Sequence, residues 1–384
     1  MPPSAVVVGA GILGSALADR LARSSWQVTH VEQFAPGHVR SGSGDETRLI
    51  RSAHGADAVH ARMSRRSLEL WRELDPRLIC PSGIAWFARR PDAWEADAER
   101  VLTELGIPNE RVDAAQLFPS VRTDDLAFTL FEPEAGLLRA RDGVRALADR
   151  AVEAGAERVV AVARPQDDGA RVVLQDGRVL EADHVIWACG AWMATLFGDV
   201  LDLRITHQDV YYFGVPGTWA APGVPGWVDF DGAFYGTADY DGRGLKVGPD
   251  QEGPAIASLD AERRADPELE RVARAYLGHR FPAIADAPLV GTRVCQYEMT
   301  SDERFVVAPH PAHADGRVWL VGGGSGHAFK HGPVLAERLE RWILRAEEPE
   351  PMFALGAGRT HDVQLRTGGT PLSGPDPASG GMSE

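Results

Sequence analysis

Cysteine is scarce: Cys80, Cys189 and Cys295 are the only three in 384 residues. An odd number with no metal-ligand spacing excludes a disulfide framework and fits a reducing cytoplasm. Long apolar runs are missing too. Nothing approaches the roughly 20 residues that cross a bilayer, and the apolar start Ala5–Val8 is too short for a secretory core. Basic charge is in the minority, with 40 Lys and Arg against 55 Asp and Glu and a formal charge of −15. That sign argues against nucleic acid or an anionic membrane as a partner, although a buried site can still be locally basic. The chain has no internal repeat, and no carboxylate pair, metal cluster or Ser-His-Asp pattern stands out. What is present is ordinary for a globular protein, 44% hydrophobic and 25% charged, with enough chain to bury a sizeable core.

Periodicity divides the chain. Ala5–Val8 reads as a buried parallel strand. The turn Gly9-Ala10-Gly11-Ile12-Leu13-Gly14 follows, then a helix carrying Leu13, Leu17 and Leu21, and Val28–Glu32 is a second strand ending in an acid. Residues 60–75 form an amphipathic helix, Val144–Glu153 another, and Arg158–Val162 a strand. Arg171–Leu174 and Arg178–Leu180 flank Asp176-Gly177, a hairpin signal. His184–Cys189 is an apolar strand ending at Gly190. Residues 205–250 hold aromatic-rich strands broken by Pro and Gly. The pattern predicts a charged helix over 259–278, strand and turn chemistry over Val294–Val307, a last strand at Val318–Val321 and a helix from Gly332 to Arg345. Residues 356–384 read as a flexible tail, polar and rich in Gly, Pro and Ser from about 362.

Each part of the opening has a physical task. Gly9 permits a tight turn, Gly11 lets the backbone approach a pyrophosphate, and Gly14 lets the helix pack close on the strand. The helix N-terminus offers N–H groups and a positive dipole to phosphates. Glu32, 18 residues past Gly14, is placed to accept a ribose hydroxyl and disfavours NADP. The opening alone does not separate FAD from NAD. The far end does: Val318–Val321 followed by Gly322-Gly323-Gly324-Ser325-Gly326-His327 is a second strand–glycine–helix element. Its N-terminus would stabilise a negative charge on a reduced flavin.

With both ends read, the chain resembles the family of monomeric sarcosine oxidase and N-methyltryptophan oxidase, in the D-amino-acid-oxidase-like group of flavoproteins. The likeness runs from about residue 5 to 345. It rests on Val7-Val8-Gly9-Ala10-Gly11, Glu46-Thr47-Arg48-Leu49-Ile50-Arg51, Cys189-Gly190-Ala191-Trp192, Gly244-Leu245-Lys246-Val247-Gly248, Cys295-Gln296-Tyr297 with Asp302-Glu303-Arg304-Phe305, and Gly326-His327-Ala328-Phe329-Lys330. The resemblance implies an α/β fold. A Rossmann-like FAD-binding domain would be assembled from residues 1–80, 141–204 and 286–355. A second α+β substrate domain on a mostly antiparallel sheet would come from 81–140 and 205–285.

The resemblance also implies roles. Arg51 and Lys330 would bind a substrate carboxylate, and Tyr235 would shape the pocket. Arg48 would lie against the flavin, and Lys246 would activate dioxygen. Cys295 is the position of a covalent flavin link. Gly9, Gly11, Gly14, Glu32, Ser43, Gly190, Gly323, Gly324, Gly326, His327 and Lys330 would surround the cofactor. The implied reaction is FAD-dependent oxidation of an amino acid or amine C–N bond by a cytoplasmic monomer, giving an imine and hydrogen peroxide. The sequence departs from the family pattern at Gly44 and Asp250, where the family has histidines, and at Glu298, where it has a neutral residue. Asp250 and Glu298 would pair with a second cationic group on the substrate, so sarcosine itself is not the expected substrate. A flavin dehydrogenase with another acceptor, a nicotinamide enzyme and a non-catalytic flavin-binding protein are the competing readings. Lys246 and Lys330 argue against the last, since binding alone requires neither.

Overall fold

The strand Ser4–Val8 has burial on both faces, as a strand in the middle of a parallel sheet must. In the computed structural model, which describes residues 1–356 apart from 257 and 346, it is the fourth of six strands. The order is Val306–Pro309, Val318–Gly322, His184–Trp187, Ser4–Val8, Gln27–Glu32 and Glu157–Val160. All neighbours are parallel except Val306–Pro309, which runs against Val318–Gly322. Helices Ile12–Arg23, Ala140–Glu153 and Gly332–Ile343 cover one face through Leu17, Leu21, Val144, Leu147, Val334 and Leu339. The small antiparallel sheet of Ala163–Gln166, Arg171–Leu174 and Val179–Leu180 lies with the other face. The Asp176-Gly177 hairpin is where the sequence places it.

A second sheet of eight strands carries the aromatic middle of the chain. Its order is Leu289–Met299, Arg204–Phe213, Leu245–Pro249, Phe234–Thr237, Gly226–Asp229, Ile84–Ala88, Phe128–Glu132 and Glu110–Val112. Only Gly226–Asp229 and Ile84–Ala88 run parallel. Phe213, Trp219, Trp227, Phe234, Tyr276 and Phe281 form its core against the helix Pro267–Arg280. A Rossmann-like layer with a mostly antiparallel second layer is the fold class the sequence implies. Strand Leu289–Met299, grouped by the expected segmentation with the dinucleotide part, pairs along its length with Arg204–Phe213. Strand Thr47–Ile50 joins neither large sheet and pairs with Gly136–Arg139.

Three expectations change. The helix predicted over 259–278 is Pro267–Arg280. Proline cannot sit in a helix interior but suits the first turn, and Asp266 accepts the Glu268 N–H at 2.8 Å, so this helix starts at its own cap. The strand predicted to Cys189 ends at Trp187 because Gly190 turns the chain at φ +56°. The glycine loop after Val318–Gly322 does not open directly into a helix: a short 3-10 turn, Phe329–His331, precedes helix Gly332–Ile343. The predicted tail from 357 onward lies outside the described residues. Among those described, no helix is long and apolar enough to cross a membrane.

The first turn is built as its glycines require. Gly9 has φ +104°, donates its N–H to Val31 O at 2.8 Å, and faces Ala188 with no room for a side chain. A Cβ on Gly14 would overlap the Gly9 carbonyl oxygen, so helix Ile12–Arg23 packs on the strand at backbone distance. Gly14→Ala is expected to lower stability by about 1–3 kcal/mol through overpacking, read as the midpoint of urea unfolding.

Candidate active site

The C-terminal ends of the parallel strands open into a cleft of about 440 Å³. Its lining includes Gly9, Gly11, Glu32, Ser43, Arg48, Gly190, Glu298, Gly324 and Gly326, all singled out from sequence. Gly14 packs behind it. Ligands of parallel α/β sheets bind at this place, where helix N-termini and strand ends converge. Glu32 accepts the Ala10 N–H at 2.6 Å and the Phe34 N–H at 3.0 Å, so its carboxylate holds the turn while facing the cleft. Gly11 brings no capping side chain to its helix; Ser43 reaches over instead and accepts the Ile12 N–H at 3.0 Å. Beneath them the buried His30 lies 3.1 Å from Gly9 O. Burial pushes its pKa down to about 4, so it donates to that oxygen as a neutral ring.

The cleft fits a dinucleotide on two observations. A Cβ at Gly190 would meet nothing within 4 Å, so the backbone there borders open space. And Glu298, half-buried at the cleft wall, has a buried Oε2 without a partner among the described residues. Burial pushes its carboxyl up to about 7, against the Gly324 and Gly323 N–H groups that hold it. A nearly neutral carboxyl with an idle oxygen suits a ligand bringing its own N–H or hydroxyl donors. Glu298 thus sits against the glycine loop while lining the cleft.

Next to the cleft lies a charged cluster centred on a residue that sequence reasoning missed. Asp45 is 2% exposed and receives Lys246 Nζ, Arg48 Nη1 and, at 2.6 Å, the Tyr212 hydroxyl. Burial works against its charge, but Lys246 and Arg48 overcome this and hold the carboxyl far below the ordinary range. Lys246, 1% exposed, also donates to Thr47 O at 3.1 Å; burial draws its pKa down despite Asp45. Its Nζ lies 5.8 Å from the centre of the Tyr235 ring. Arg48 donates to Gly42 O and Thr47 O at 2.9 Å and reaches Cys295 Sγ at 3.8 Å. Burial raises the Cys295 thiol, with Arg48 and Lys246 pulling the other way.

A second cation group is formed by Lys330 and Arg51. Lys330 is 3% exposed, donates to His327 O at 3.1 Å, and is pushed well below the lysine range by burial and by Arg51. Arg51 stacks 4.9 Å over the Trp86 ring and donates to Ala53 O; burial lowers it to about 10 while Glu132 and Asp250 oppose. Glu132 is the other residue not foreseen. It is fully buried, accepts the Ser52 N–H at 2.7 Å and the Trp86 indole N–H at 2.9 Å, and burial raises its pKa. The structure thus brings Arg51 and Lys330 together, and Lys246, Arg48 and Cys295 together.

Glu298 generates a pH dependence. Its folded carboxyl keeps a proton up to about 7, whereas the unfolded one releases it at the ordinary value of 4.5. The stability so gained is complete below 4.5 and is lost as pH rises through 7. Thermal unfolding of the wild type should fall across this window, and Glu298→Gln should flatten that fall.

Comparison with known proteins agrees with this geometry. A monomeric sarcosine oxidase of Streptomyces avermitilis is 30% identical over 371 residues, covering 90% of this chain and 95% of that protein. An N-methyl-L-tryptophan oxidase of Escherichia coli is 27% identical, covering 86% of this chain and 92% of its own length. Among solved structures, L-proline dehydrogenase from P. horikoshii superposes with a TM-score of 0.81 at 19% identity, covering 92% of this chain and 96% of that one. Iminodiacetate oxidase from Chelativorans sp. BNC1 superposes at 0.75 with 22% identity, covering 91% and 98%. These two likenesses speak to the fold. The family model described as FAD dependent oxidoreductase matches residues 4–342, and the chain therefore belongs to that family, an enzyme with FAD as its cofactor.

Proposed function

We propose that this enzyme is an FAD-dependent oxidase of the C–N bond in an amino acid or N-substituted amino acid. The observation that carries the reading is two groups of cations, Arg51 with the buried Lys330 and the buried Lys246 with Arg48, of which Arg48 lines the cleft itself. Bound FAD supplies the two-electron acceptor. The chain's own side chains bind and polarise. Arg51, its guanidinium fixed on Trp86, and Lys330 exchange their backbone carbonyl partners for a substrate carboxylate. The anion's arrival favours the protonated form of Lys330, which burial and Arg51 otherwise oppose. Tyr235 walls the pocket beside Lys246. The substrate loses two electrons and two protons as its C–N bond becomes an imine, and dioxygen takes them up as hydrogen peroxide. Lys246 places positive charge where oxygen reduction builds negative charge. The residues named come from one chain, so a monomer suffices for this chemistry. The names of the relatives, sarcosine oxidase and N-methyl-L-tryptophan oxidase, point to small secondary amino acids as the first substrates to assay.

One observation favours a second reading, a dehydrogenase that passes electrons to another acceptor. Asp45 sits directly on Lys246 and offsets the charge that oxygen reduction would use. The two readings separate in an oxygen electrode. An oxidase consumes dioxygen and releases equimolar peroxide with N-methyl and cyclic amino acids; a dehydrogenase bleaches with the same substrates but consumes almost none. For the oxidase, Lys246→Met should slow oxygen-dependent turnover by roughly 100-fold or more while anaerobic bleaching by substrate changes far less. Equal losses in both would remove the oxygen role.

We further propose that Cys295 is the attachment point for the flavin, its thiol lying beside the Arg48 guanidinium. After acid precipitation the yellow colour should stay in the pellet for the wild type and move to the supernatant for Cys295→Ser. Colour in the wild-type supernatant would exclude the link.

A further inference from the structure

Four histidines meet in the interior behind Lys330, and no spacing in the sequence announces them. His54 lies on the segment after Arg51, and His60 in the first turn of helix Ala58–Leu74. His327 and His331 bracket the turn before helix Gly332–Ile343. Their exposures are 1%, 0%, 7% and 0%. The ring centres stand 5.4 to 6.3 Å apart. One ring nitrogen from each of His54, His327 and His331 lies within 4.8 Å of the other two.

The hydrogen bonds fix which nitrogens carry protons and which are left free. His54 Nδ1 donates to Ser52 O at 2.9 Å, His60 Nδ1 to the Asp57 carboxylate at 2.9 Å, and His327 Nε2 to Glu303 O at 2.8 Å. Each partner only accepts, so each of these nitrogens carries the proton and the other nitrogen of each ring is a bare lone pair. Those others, His54 Nε2, His60 Nε2 and His327 Nδ1, have no partner among the described residues, and neither does either nitrogen of His331. Four neutral rings thus present four lone pairs and at most one N–H. Phe305 packs on His60, His327 and His331 at centroid distances of 4.6 to 5.4 Å, and Phe353 closes on His60. An outer N–H held by a carboxylate or backbone carbonyl, with the inner nitrogen left free, is how proteins orient histidines around a metal ion.

We infer that His54, His327 and His331, with His60 as a fourth donor, form a buried site for a divalent transition-metal ion suited to imidazole, with Zn²⁺ the first to test. The site would be structural. It is enclosed by side chains, and it ties the segment after Arg51 and helix Ala58–Leu74 to the loop that carries Lys330. The same helix already holds Lys330 O through Ser67 and the Trp71 indole. The charges nearby act in both directions. Lys330 and Arg51 repel a cation, while Asp57 on His60 and Glu132 beside Arg51 oppose them. This inference does not rest on the proposed reaction.

The test is the metal content of the tag-free holoenzyme after dialysis against Zn²⁺ and then metal-free buffer, measured by plasma mass spectrometry. One Zn²⁺ ion per chain is expected in the wild type. His331→Leu and His54→Gln should lose it, and His184→Ala, outside the cluster, should retain it. Far-ultraviolet circular dichroism checks that each variant is folded, and having two cluster variants keeps the test open if one is not. Added Zn²⁺ should raise the Tm of the metal-stripped wild type but not that of a folded cluster variant. Substoichiometric zinc in the wild type, or full zinc in both folded cluster variants, would overturn the site.

Discussion

A single buried carboxylate, Asp45, is the constraint around which the charged half of the site is arranged. Removing Lys246 from water is costly unless a hydrogen-bonded counter-charge goes with it. Asp45 provides that for Lys246 and Arg48 at once, with the Tyr212 hydroxyl as a third donor. Tyr212 and Lys246 are register partners on adjacent strands, so one ladder position brings both to the acid. Arg48 arrives from strand Thr47–Ile50, which belongs to neither large sheet. The ion cluster is thus where three separately formed pieces of backbone are brought to a common position. Its net charge, two cations against one anion, sets the potential that any bound cofactor meets.

The same logic governs the second cation group. Glu132 binds backbone N–H groups of the segment after Arg51 and the Trp86 indole, and Trp86 in turn carries the Arg51 guanidinium. A carboxylate therefore positions the cation without lying directly against it. That leaves the guanidinium turned toward a carbonyl, a weaker partner than a carboxylate.

Much of this was legible in the sequence, and the illegible parts share a cause. The strand–turn–helix–strand opening is local: glycines and apolar periodicity determine it within about thirty residues. Lys246, Arg48, Arg51, Lys330 and Cys295 stood out because each lies in a short recognisable piece. Asp45 did not, since an acid in Gly44-Asp45-Glu46 reads as a solvated loop; only the partner 201 positions away makes it interior. Glu132 was likewise one acid in the run Phe131-Glu132-Pro133-Glu134, its burial decided by strand pairing. Glu298 was noticed for its charge, but its direction along a strand of alternating faces was not predictable until the ladder with Arg204–Phe213 fixed the register. The misplaced start of helix Pro267–Arg280 had a local sign, Asp266-Pro267, that the charge pattern obscured.

The ladder between Leu289–Met299 and Arg204–Phe213 pairs Cys295, Gln296, Tyr297 and Glu298 with residues of the opposite strand. Its far end belongs to the aromatic core and its near end to the cofactor cleft. Both strands of the ladder belong to the eight-stranded sheet, so that sheet itself supplies part of the wall of the cofactor cleft. Recombination that exchanges one half for a relative's would have to carry both strands of this ladder across together. A graft or inserted sequence belongs instead at the Asp176-Gly177 hairpin, where Gly177 meets no neighbour within 4 Å and no cofactor-facing strand is interrupted.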